Sequence, residues 1–157
     1  MPRERRGFGS SMCRTIDTVQ ATTRAGSTLH PFRRPRGCTT FEYGTWGGEF
    51  RGEFKPEPGE IVVTEHWCSS GFANTDLDLQ LTKHGIHQLI VVGLIAHTCI
   101  EATVRFAAEF GYQVTVVKDA KADYSDKEMH AALDINMPNY ASAIVTTKEV
   151  VDSISSL

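Results

Sequence analysis

Cys99 is the side chain in this sequence best placed for covalent chemistry. It sits within Leu89 to Asp119, which reads LIVVGLIAHTCIEATVRFAAEFGYQVTVVKD. An apolar run from Leu89 to Val92 ends at Gly93, a short polar turn holds His97 and Thr98, and Cys99 opens a helical pattern that Gly111 stops. A second strand pattern, Val114 to Val117, follows. The cysteine is thereby set where a parallel strand hands over to a helix, which is where open α/β sheets place their ligands. The unpaired N–H groups of a helix's first turn favour an anion, so a thiol there leans toward thiolate, the nucleophilic form. Free cysteine is also among the most buried and inert residue types. Position alone leaves Cys99 as either a nucleophile or a small filler residue.

The elements that must position it alternate. Strands are expected at Ile61 to Thr64, Leu89 to Val92, Val114 to Val117 and Ala143 to Thr147. Helices are expected over Asn74 to His84, from Cys99 toward Gly111, over 126–136, and from Lys148 onward. Gly85 and Gly111 follow the first two helical patterns, as a C-terminal stop requires. Alternating strands and helices imply a parallel sheet covered by helices on both faces. Phe41 to Gly59, rich in glycine and aromatics, reads as an ordered excursion whose rings have area to bury.

Length and composition bound the rest. One domain is expected for 157 residues, and 41% hydrophobic content lies in the globular range. No apolar run approaches the length of a membrane span, so no membrane association is expected. Cys13, Cys38, Cys68 and Cys99 show neither a CxxC spacing nor a His-rich pattern. No metal, cofactor or disulfide framework is therefore expected, and reduced thiols in the cytoplasm are. The net charge of −3 hides an asymmetry: residues 1–36 carry +6, with eight Arg against Glu4 and Asp17, and residues 37–157 carry −9. The basic end reads as a disordered or irregular tail rather than a targeting segment, and it lacks the interleaved aromatics of a nucleic-acid arm. The chain accordingly divides into a basic segment, 1–36, and a folded domain, 37–157.

Four pieces between about Phe41 and Val151 resemble the isochorismatase-like cysteine hydrolases. They are Gly93-Leu94-Ile95-Ala96-His97-Thr98-Cys99-Ile100-Glu101 with Thr103; Ser70-Gly71-Phe72-Ala73-Asn74-Thr75-Asp76-Leu77-Asp78; Val117-Lys118-Asp119-Ala120; and Met129-His130-Ala131-Ala132-Leu133. The resemblance implies an α/β, three-layer αβα sandwich with a parallel sheet. It implies hydrolysis of a small-molecule amide C–N bond or an enol ether, with Cys99 as nucleophile. The backbone N–H groups of Ile95 and Cys99 would meet the oxyanion, and the Leu94–Ile95 peptide would be cis. His66, Trp67, Phe72 and His97 would contact the substrate, although core packing is the plain alternative for the two aromatics.

The family also uses an aspartate at the end of its first strand and a lysine after its third. Neither has a counterpart here. Thr15-Ile16-Asp17-Thr18-Val19-Gln20 matches the aspartate motif only superficially, and Thr64-Glu65-His66-Trp67-Cys68 stands where the lysine belongs. The expectation is a member whose first strand is missing and whose activity is weak or absent. The alternative is a non-catalytic protein that binds a ligand or partner through the same pocket. A homo-oligomer is expected, since a partner chain is one way to cover the gap.

Overall fold

The computed structural model describes Trp46, Glu49, Phe50, Gly52–Thr64 and Ser69–Ser156. Residues 1–36, and with them Cys13 and Asp17, lie outside the described residues, as do Cys38, His66, Trp67 and Cys68.

The sheet has three strands in the order β1-β2-β3, all parallel: β1, Gln88–Leu94; β2, Gln113–Ala122; and β3, Ala143–Val145. Helix α1, Leu77–Lys83, precedes β1. A π-turn, Ala96–Ile100, and helix α2, Glu101–Glu109, join β1 to β2. Helix α3, Asp126–His130, runs on through a π-helical stretch, Ala131–Asn136, and a 3-10 turn, Met137–Asn139, toward β3. Helix α4, Thr147–Ser155, closes the chain.

The helices that lead into β1 and β2 end in the same way. After α1, the N–H of Gly85 bonds to the carbonyl of Thr82 and that of Ile86 to Leu81; after α2, Gly111 bonds to Ala108 and Tyr112 to Ala107. This is the paired C-terminal bonding that needs a left-handed residue just past the helix, and Gly85 and Gly111 have φ of +67° and +87°. Helix starts are also set locally. Ser125 caps α3 through the N–H of Glu128, and Thr146 with Glu149 forms a reciprocal capping box on α4.

The core joins α1, α2 and β2. Leu81, Val104, Ala107, Val114 and Val116 are fully buried, with Met137 and Ala132 closing one end and Phe72 and Tyr112 another. Leu89 and Val91 of β1 pack on this cluster, while the alternate residues Ile90, Val92 and Leu94 face outward, 43%, 54% and 67% exposed. A strand's side chains alternate between faces, so one face of β1 is covered and the other is bare. Among the described residues β1 is an edge of the sheet.

Three expectations change. Ile61 to Thr64 is not a strand: it has no ladder partner among the described residues, Val63 drops into the core instead, and the N–H of Thr64 goes to Asp76. Two described rings of the aromatic excursion are not buried as expected, Trp46 at 93% and Phe54 at 59% exposure, while Phe50 is half-buried and Phe41 and Tyr43 lie outside the described residues. Neither Trp46 nor Phe54 joins the core cluster, and Gly52–Phe54 is only a 3-10 turn. Finally, the helical run begins at Ala96 rather than Cys99, because the chain enters it through a π-turn closed by Ile100 N–H to Ile95 C=O, at 3.1 Å.

Candidate active site

The register of β1 against β2 prepares the site. Leu89 faces Val114 and Val91 faces Val116, but Gly93 then faces Lys121. Between these pairs β1 advances two residues and β2 five, so β2 bulges over 117–120. The bulge interrupts the ladder beside the strand that leads to Cys99. The Lys121 ammonium bonds to the Val91 carbonyl at 3.0 Å. Burial lowers its pKa from 10.5 to about 8. Lys121 therefore serves the sheet and points back along β1, not forward to the turn.

Beyond the bulge the Leu94–Ile95 peptide is cis, as the family resemblance implied. Ile95 is extended and enters the π-turn that holds His97, Thr98 and Cys99. Cys99 is a free, half-buried thiol. Its Sγ accepts from the Thr98 hydroxyl at 3.6 Å, the one polar contact of the sulfur among the described residues. The first-turn N–H of His97 goes to Asp123, and those of Thr98 and Ile100 return to the Ile95 carbonyl.

One helical turn on, Thr103 ties this turn to the loop at Ser70–Phe72. Its hydroxyl donates to the Cys99 carbonyl at 2.7 Å and accepts from the Gly71 N–H at 3.0 Å. The loop is itself wound tight. Ser70 Oγ accepts from the N–H groups of Phe72 and Ala73, and Thr75 Oγ1 donates to the Gly71 carbonyl at 2.6 Å. Phe72 is buried, its ring against Phe110 and Tyr112, so it anchors the loop from the core side.

His97 and Cys99 are two apart on a helical turn and do not share a face. Cys99 shares its face with Thr103, four residues on. The His97 ring turns instead to the end of β2. There the Asp123 carboxylate accepts from His97 Nδ1 at 2.6 Å, from the His97 N–H at 2.8 Å and from the Tyr124 N–H at 2.8 Å. The Asp123 side chain is 1% exposed. That desolvation pushes its carboxyl upward, but the bonds from His97 and Tyr124 outweigh it and leave the group below the usual range. Glu128, the third member of this cluster, has a carboxylate oxygen within 4.8 Å of the other two groups, so His97, Asp123 and Glu128 could share an ion. Each already has a protein partner, since Glu128 accepts from the Ser125 hydroxyl.

The structure thus brings Ile95, His97 and Cys99 together in one turn and joins the Phe72 loop to it; His66 and Trp67 lie outside the described residues. Asp123 and Thr103 carry most of the positioning bonds. Thr103 was legible as part of a motif but not for what it does. Asp123 gave no signal, because its partner lies 26 residues earlier.

This arrangement defines a parallel α/β sheet with a cysteine turn at its carboxyl edge, and the comparisons place it. The Isochorismatase domain model matches residues 14–149, and the chain belongs to that family. It is similar to the secreted isochorismatase effector Isc1 of Verticillium dahliae, 40% identical over 57% of this chain and 46% of the relative. It also resembles the ureidoacrylate amidohydrolase RutB of Variovorax paradoxus, 31% identical over 71% of this chain and 44% of the relative. The chain spans about half the length of these curated relatives. Among solved structures, a cysteine hydrolase from Pseudomonas syringae superposes with a TM-score of 0.67 at 26% identity, over 73% of this chain and 58% of the other. The fold is therefore the expected α/β sandwich. No helix of the described residues is long and apolar enough to cross a membrane.

Proposed function

We propose that this chain carries the nucleophile turn of a cysteine hydrolase acting on a small-molecule amide. The observation that supports it best is the half-buried Cys99 in the first turn after the nucleophile strand, tied by Thr103 to the Ser70–Phe72 loop. In the reaction, Cys99 Sγ adds to the amide carbonyl carbon, and the oxygen takes up charge opposite the N–H groups of Ile95 and Cys99. The C–N bond then breaks and the amine leaves with the proton the thiol gave up. Water hydrolyses the thioester, which releases the acid and restores the thiol. His97, His66 and Trp67 contact the substrate in this reading, and Phe72 holds the loop.

The same geometry argues for slow turnover. Among the described residues, the sulfur's polar partner is a neutral hydroxyl, and no carboxylate or amine activates it. A nucleophile deprived of the groups it acts with loses most of its rate. A non-catalytic ligand-binding role is the second reading, and this same observation favours it. The deciding experiment screens ureido compounds and primary carboxamides with the whole chain and with Cys99→Ala. Weak hydrolysis that vanishes in Cys99→Ala, with a trapped thioester by mass spectrometry, is the expected result. Hydrolysis that persists in Cys99→Ala would refute the nucleophile; saturable binding with no turnover would favour the second reading.

A further inference from the structure

The Asp123–His97 pair is more specific than a surface ion pair. One carboxylate takes both the ring and the backbone N–H of His97, and it is almost wholly covered. A carboxylate can only accept, so the ring nitrogen facing it must donate. A neutral imidazole with its proton on Nδ1 has a lone pair on Nε2. The two nitrogens flank Cε1 and point in divergent directions, so one partner does not satisfy both. With Nδ1 committed to the covered Asp123, Nε2 is the ring nitrogen left to meet a ligand, on a side chain that is 27% exposed as a whole. The Tyr124 ring stands edge-on to the imidazole at 5.9 Å, and Glu128 adds a second carboxylate nearby.

We propose that Asp123 is a positioning residue that fixes His97 as the Nδ1–H tautomer, so that Nε2 accepts an N–H from the ligand. The turn then selects an uncharged amide- or urea-type group over a carboxylate. Two features act together here. The lone pair needs a donor, which a carboxylate lacks. The carboxylates of Asp123 and Glu128 also repel an anion brought to the same place. The ligand selection rests on the amide reading of the site; the tautomer does not.

The test uses the full chain labelled with nitrogen-15. Ring correlations identify the tautomer at a pH where the imidazole is neutral, with His97→Gln to assign the signals. Benzamide and benzoate serve as matched probes, one with an N–H donor and one without. The expected result is an Nδ1–H ring whose Nε2 signal moves with benzamide, and binding of benzamide at least about tenfold tighter than benzoate, the equivalent of one good hydrogen bond. Asp123→Ala should scramble the tautomer and erase the preference. An Nε2–H tautomer in the unmodified protein overturns the proposal, whether or not Asp123→Ala folds. So does a ring that ignores benzamide, or benzoate binding as tightly. None of these readouts requires turnover. A protein that hydrolyses nothing yet shows the ring response defeats the hydrolase reading alone, and one that hydrolyses amides with the wrong tautomer defeats this proposal alone.

Discussion

Thr103→Val should loosen the Cys99 turn by an amount the structure lets one work out. Valine keeps the shape of threonine and removes only the hydroxyl. The buried Gly71 N–H then loses its acceptor at 3.0 Å, and the Cys99 carbonyl loses a donor at 2.7 Å. An orphaned buried donor costs about 1–3 kcal/mol, while a carbonyl that keeps other partners loses less. A methyl group cannot sit where the hydroxyl accepted that N–H, so the Ser70–Phe72 loop must also move away. The sum is about 2 kcal/mol. Urea unfolding followed by circular dichroism reads it directly. With a slope of about 2 kcal/mol per molar, the midpoint should fall by about 1 M. Thr103→Ser is the control: it keeps the hydroxyl, gives up one methyl group and should fall by less than half as much. The reasoning is refuted if Thr103→Val stays within about 0.2 M of the parent, or if serine costs as much as valine.

Other perturbations test the surrounding framework. Lys121 has a folded-state pKa of about 8 against 10.5, so the unfolded chain binds more protons between those values. Stability should therefore rise from about pH 8 to about pH 10.5, and Lys121→Met should abolish that rise in thermal melts. Asp76 is held at about 2 by the Gln80 amide and the Thr64 N–H. Its stabilisation is present above the usual value of 3.8 and is lost as pH falls toward about 2. Asp76→Asn should flatten that acid limb, by less than about 1 kcal/mol because the group is largely solvated. Leu81→Ala, at a fully buried position on α1, should cost about 2–5 kcal/mol by chemical unfolding; a smaller loss would mean that the α1–α2 core is not what holds the domain together.

The sequence alone carried what is encoded within a few residues. The strand, turn and helix around Cys99 could be read because apolar periodicity and stop signals are local, and Gly85 and Gly111 stop their helices where expected. The four family pieces indicated the parallel α/β sandwich for the same reason. Tertiary structure decided whatever depends on a partner far along the chain. A strand exists only when paired, so Ile61 to Thr64, with strand-like residues and no ladder partner among the described residues, is an irregular segment that sends Val63 into the core. Ring-rich sequence does not say what it packs on, and Trp46 stayed in solvent. The bonds that hold the cysteine turn span 32 residues from Thr103 to Gly71 and 26 from His97 to Asp123. Neither distance leaves a periodic trace, because these contacts arise only when β1, β2 and α2 pack together and bring those backbone and side-chain groups within hydrogen-bond reach.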